Sequence, residues 1–100
     1  MCNRFSGKVA IVTGAASGIG QSTAVQFARE GARVTICDVN EKGLAETCKK
    51  VEEAGGTCLV KKVNVRSQEE VEDCVNSTLE KFGTVDILVN NAGTGQFLPF

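Results

Sequence analysis

Val9-Ala10-Ile11-Val12-Thr13-Gly14-Ala15-Ala16-Ser17-Gly18-Ile19-Gly20 is the stretch on which the reading of the chain turns. A short apolar run rich in β-branched residues breaks into three glycines, and a segment with helical spacing follows at once. The order is strand, glycine turn, helix. Glycine suits such a turn because its backbone reaches angles that a Cβ forbids, and because a pyrophosphate can approach the main chain only where no side chain intervenes. A helix that begins at the turn points its unpaired N–H groups, and the positive end of its dipole, at that phosphate. The first expectation is a nucleotide cradle.

Two periodicities alternate outward from this stretch. Residues 8–13 read as a strand whose apolar core is continuous, as in a strand covered on both faces. Residues 18–30 read as a helix with Ile19, Thr23, Ala24, Phe27 and Ala28 along one stripe and Gly31 as its C-terminal cap. Residues 32–37 form a second strand that ends at Asp38. Asn40 caps a second helix with Leu44, Cys48 and Val51 on its apolar stripe, and Gly55-Gly56 stops it. Residues 57–65 read as a third strand, where Lys61 and Lys62 suit a sheet edge. Ser67 and Glu70 have the spacing of a capping box, and Val71, Cys74, Val75, Thr78, Leu79 and Phe82 then follow helical spacing up to Gly83. Residues 85–89 are a fourth, apolar strand that runs into Asn90-Asn91-Ala92-Gly93.

The pattern βαβαβαβ predicts right-handed crossovers and a parallel sheet. The expected fold is α/β, a Rossmann-type doubly wound parallel sheet in the strand order 3-2-1-4. The chain then reverses direction beside the strand that carries the glycine turn, and ligands of such sheets bind at that switch point, beyond the C-terminal strand ends. Gly14 to Gly20, Asp38, Asn64 and the segment from Asn90 to Gly93 all fall on that rim.

Composition narrows the function classes. One hundred residues make a single domain with one core. A net charge of −1, from eleven basic and twelve acidic residues spread along the chain, offers no basic patch for nucleic acid. No apolar run approaches the roughly 20 residues of a membrane span. The N-terminus lacks the apolar core of a secretion signal, so a cytoplasmic location is expected. The five cysteines, Cys2, Cys37, Cys48, Cys58 and Cys74, are odd in number and widely spaced, and the chain has no histidine. Metal and disulfide motifs need close ligand pairs, so these read as small apolar residues in a reducing compartment. No metal site is expected.

Thr13 to Gly20, Asp38 and Asn90-Asn91-Ala92-Gly93, in this order and at these strand ends, resemble the N-terminal part of the short-chain dehydrogenase/reductase family, in its compact form. The resemblance covers the whole chain. It implies an oxidoreductase that interconverts an alcohol and a ketone by hydride transfer with a nicotinamide cofactor, as a homo-oligomer at full length. The cofactor residues it implies are Gly14, Ser17, Gly18, Ile19, Gly20, Asp38, Asn64, Val65, Asn90, Ala92 and Gly93. Asp38 stands 18 positions after Gly20 (38 − 20), where a carboxylate accepts from the adenosine ribose hydroxyls and repels a 2′-phosphate. Neither Ser17 nor Val39, the positions where NADP-preferring relatives carry Arg or Lys, is basic, so NAD is expected rather than NADP.

The sequence departs from the family in one respect. Asn64 stands where the family commonly has Asp, which keeps an acceptor oxygen for the adenine amino group but drops the charge. The family's proton-transferring tyrosine, with a lysine four residues on and an upstream serine, belongs to positions that would follow Phe100, and the 100 residues contain no tyrosine. Among residues 1–100 no catalytic residue is therefore expected. The chain reads as residues 1–100 of a longer Rossmann domain, incomplete at its C-terminal side, inactive and unstable alone. A non-catalytic dinucleotide-binding module is the alternative.

Overall fold

The buried side chains of β1 (Val9–Thr13) cover all five positions, as the unbroken apolar run dictates. The structure, a computed structural model, describes residues 4–91. After β1 come α1 (Gly18–Arg29), β2 (Arg33–Asp38), α2 (Glu41–Glu53), β3 (Thr57–Lys62), α3 (Gln68–Phe82) and β4 (Ile87–Val89). The four strands form one parallel sheet in the order β3-β2-β1-β4, the expected doubly wound arrangement.

Each sheet face has its own core. On one, Val12, Val34 and Ile36 pack with Ala24 and Ala28 of α1 and with Leu44 and Val51 of α2. On the other, Ile11 and Cys37 pack with Val63 and with Cys74 of α3, flanked by the half-buried Val71, Val75 and Val85. The buried polar side chains on this second face satisfy each other. Thr78 donates to the Cys74 carbonyl at 2.8 Å, so its one proton is used and Thr35 donates to Thr78, also at 2.8 Å.

Element ends follow local hydrogen bonding and differ from the expected ones by a few residues. β3 stops at Lys62, short of the expected residue 65. Val63 makes one last bond to the Asp38 carbonyl, and the chain then turns with Ser67 N–H donating to the Asn64 carbonyl. β4 begins at Ile87, not at Val85. Before it, Asp86 pairs with the start of β1, its N–H donating to the Val9 carbonyl and its carboxylate accepting from the Val9 N–H, both at 2.9 Å. Ser67 caps α3 by accepting from Glu70 N–H, but the return arm of the capping box is diverted, because Glu70 accepts from Asn64 N–H at 2.8 Å. Ile19, expected on the apolar stripe of α1, is 74% exposed.

Candidate functional site

The rim at the C-terminal strand ends is built from the glycine turn upward. Gly14 and Gly18 have positive φ, 63° and 58°, which lets the chain leave β1 and enter α1 within four residues. Gly20 is buried for a different reason: a Cβ there would lie 1.9 Å from the Gly14 carbonyl oxygen and 2.8 Å from the Asn91 amide nitrogen. The helix start is thus pressed against the strand end. Gly43 plays the same part from α2, where a Cβ would lie 2.6 Å from both Cβ and O of Ala16.

Polar side chains hold the back of the turn. The fully buried Thr47 of α2 donates to the Ala15 carbonyl at 2.6 Å and accepts from Gln21 at 2.9 Å. Gln21 in turn accepts from Lys50 at 2.9 Å. Asp38, at the end of β2, accepts from Ala16 N–H through Oδ2 at 3.1 Å. Its Oδ1 accepts from Val39 and Asn40 N–H at 2.7 and 3.1 Å. On the far side, Thr13 accepts from Asn91 N–H at 2.8 Å and lies 3.1 Å from Asn90 Oδ1, which ties the end of β4 to the end of β1.

The three helix N-termini differ in a way that matters for an anion. Asn40 and Ser67 cap α2 and α3 with side-chain hydrogen bonds, and both helices carry acids in their first turns. Ser17, the N-cap residue of α1, makes no such bond, and the first turn of α1 has no acid. Ser17, Gly18 and Ile19 are exposed, and nothing lies within 4 Å of a Cβ placed on Gly18. An uncapped, acid-free and open helix start fits a pyrophosphate.

The structure brings Gly14, Asp38, Asn64 and Val65 together around one hollow of about 240 Å³, also lined by Val39, Val63 and Arg66. Asn64 uses Oδ1 to accept from Arg66 N–H at 3.0 Å, so its acceptor is partly engaged by its own turn. Ser17, Gly18, Ile19 and Gly20 sit at the adjoining start of α1, and Asn90 lies beyond β1 at the end of β4. Ala92 and Gly93 lie outside the described residues. A larger hollow, about 520 Å³, runs along α1 between Phe5, Ile19, Phe27 and Glu30, away from the strand ends. Among the described residues no group of three His, Cys, Asp or Glu side chains could hold a metal ion.

Sequence reasoning did not assign several residues of this rim, among them Gln21, Gly43, Thr47 and Arg66. Gly43 carried a signal, an isolated glycine inside a helical pattern, which marks a close approach of another backbone. Thr47 sits on the buried stripe of α2 with Leu44 and Val51. Its polarity hid it.

A parallel sheet in this order with a glycine turn at its switch point defines a dinucleotide-binding type of α/β protein. The short chain dehydrogenase family model matches residues 8–100, and the chain belongs to that family. It is 38% identical over 97 residues to 7alpha-hydroxysteroid dehydrogenase of Escherichia coli, covering 97% of this chain and 38% of that one. Carveol dehydrogenase from Mycobacterium avium, solved in complex with NAD, superposes with a TM-score of 0.88 at 36% identity, over 95% of this chain and 39% of that chain. An actinorhodin polyketide ketoreductase, solved with NADPH, superposes with a TM-score of 0.83 at 45% identity, over 93% and 35%. The chain therefore spans about two fifths of the length of such relatives, and they include both nicotinamide cofactors.

Proposed function

We propose that residues 1–100 supply the NAD(H)-binding part of an oxidoreductase that interconverts a small alcohol and a ketone by hydride transfer. When bound, the nicotinamide ring gives or takes the hydride. The observation that carries this reading is the Asp38 carboxylate, which lines the hollow with Gly14 and accepts from the Ala16 N–H immediately before the uncapped start of α1. The amides at Ser17 to Gly20 would receive the pyrophosphate, and the remaining acceptor capacity of Asp38 Oδ2 the ribose hydroxyls. Asn64 and Val65 would border the adenine, and Asn90, Ala92 and Gly93 the nicotinamide ribose. Within the same reading the protein works in the cytoplasm as an oligomer of identical copies. No helix among the described residues is long and apolar enough to cross a membrane.

Arg66 is the one cation among the seven residues lining the hollow, and it is the group that could favour a 2′-phosphate instead. A comparison of Asp38→Ala with the parent protein decides. Losing a charge-assisted hydrogen bond costs about 1.5 to 3 kcal/mol, more than tenfold in affinity. The expected outcome is at least tenfold weaker NAD binding with NADP binding unchanged or improved. Because Asp38 also holds the Ala16 amide, an equal loss for both cofactors would mark a purely structural role.

A non-catalytic dinucleotide-binding module is the second reading, since the rim alone, with its uncapped helix start and Asp38, accounts for binding and not for proton transfer. Transfer of hydride from a secondary alcohol to NAD by the full-length protein, followed as NADH absorbance, separates the two.

A further inference from the structure

Cys37 and Cys74 come from different elements, the end of β2 and the middle of α3, yet their Sγ atoms lie 2.8 Å apart. Both are buried, in the small core shared with Ile11 and Val63. Less than about 1 Å separates that distance from the ~2.05 Å of a disulfide. We propose that Cys37 and Cys74 form a dithiol modification site that a peroxide converts to a disulfide, fastening α3 to β2 directly beside Asp38. This is independent of whether the rim binds a dinucleotide.

The two thiols are not equivalent. The hydrogen bond from Cys37, with the Lys61 ammonium nearby, holds the Cys74 thiol below the ordinary thiol range. The same hydrogen bond and burial push Cys37 up. Lys61 is fixed there by its ion pair with Asp73, the residue before Cys74, at 3.0 Å. Of the two, Cys74 is the better placed to attack and Cys37 to resolve. In the first step the Cys74 sulfur bonds one peroxide oxygen, the O–O bond breaks, and the other oxygen leaves as hydroxide or alkoxide and takes up a proton. Cys74 is then a sulfenic acid. In the second step the Cys37 sulfur attacks the Cys74 sulfur, the S–O bond breaks, and the hydroxyl leaves as water with the Cys37 proton. The two thiols supply the two electrons that reduce the peroxide.

Cys48 and Cys58, side by side on the opposite face, are an internal comparison, because burial pushes the Cys58 thiol up and leaves less thiolate to react. The test treats the native protein with one equivalent of hydrogen peroxide, alkylates the remaining thiols and maps the digest by mass spectrometry. The expected product is a Cys37–Cys74 linked peptide, two hydrogens lighter than the separate thiols, with Cys48 and Cys58 alkylated. The preference should vanish when the same treatment follows unfolding in urea. Cys37→Ser should stop the reaction at a Cys74 sulfenic acid that a 1,3-dione reagent captures. If that variant does not fold, the map of the native protein still decides. A map in which Cys37 and Cys74 stay free, or link no more often than Cys48 and Cys58, overturns the proposal.

Discussion

Gly20 and Gly18 stand two residues apart in the same turn and should respond differently to one added methyl group. At Gly20 the Cβ would meet the Gly14 carbonyl oxygen at 1.9 Å, a contact with backbone that no rotamer relieves. At Gly18 the space is open, and only the positive φ of 58° opposes alanine. Gly20→Ala is therefore expected to lower the free energy of unfolding by about 3 kcal/mol or more, and Gly18→Ala by about 1 to 2 kcal/mol. Urea denaturation of the two variants checks the order. The turn itself was legible because its meaning is local, three glycines between an apolar strand and a helix. The contacts that lock it were not. Gly43 and Thr47 act on Ala15 and Ala16 across the gap between α2 and the turn, and nothing in a linear pattern shows which residues such a gap brings together.

At the scale of elements, helix starts and stops were read well, because capping uses residues adjacent in sequence. Asn40 accepts from Gly43 N–H, Ser67 from Glu70 N–H, and Gly83 closes α3 in the left-handed region. Strand ends were read less well, since pairing partners on another strand set them, as Asp86 does for β1 and β4. The cysteines show the same limit. Wide spacing argued against any pair, yet the crossover from β3 through α3 to β4 lays Cys74 of α3 on Cys37 of β2.

The packing of α2 on β3 also carries a pH dependence. Burial, with the neighbouring Cys48, lifts the Cys58 thiol above its ordinary value of 9.0. The folded chain then keeps this proton at a pH where the unfolded chain releases it. The stabilisation is complete below the unfolded value and is lost as pH rises past it. Stability should fall as pH rises past about 9, and Cys58→Ala should flatten the fall. Urea midpoints below and above that pH, unchanged by the substitution, would contradict the assignment.

At the scale of the whole molecule, the alternation of strand and helix was enough to give sheet order and strand direction. It did not give the depth of cover. β1 and the inner positions of β2 are buried, whereas Val60 in β3 and Leu88 in β4 are 42% and 36% exposed. β4 is three residues long and pairs only with β1 among the described residues. Native-state hydrogen exchange should therefore find the slowest amides in β1 and β2 and the fastest strand amides in β4. Equal protection of β4 and β1 would show that the outer edge is covered in solution.

We propose that one rim, assembled from four strand ends, receives a dinucleotide. This is tested most directly by titrating the isotopically labelled protein with NAD and following backbone amide resonances. Saturable shifts are expected at Gly14, Ser17, Gly18, Ile19, Gly20 and Asp38, with smaller ones at Asn64, Val65, Asn90, Ala92 and Gly93. Shifts confined to the groove between Phe5 and Phe27, or none at any NAD concentration at which the protein stays folded, would contradict the proposal.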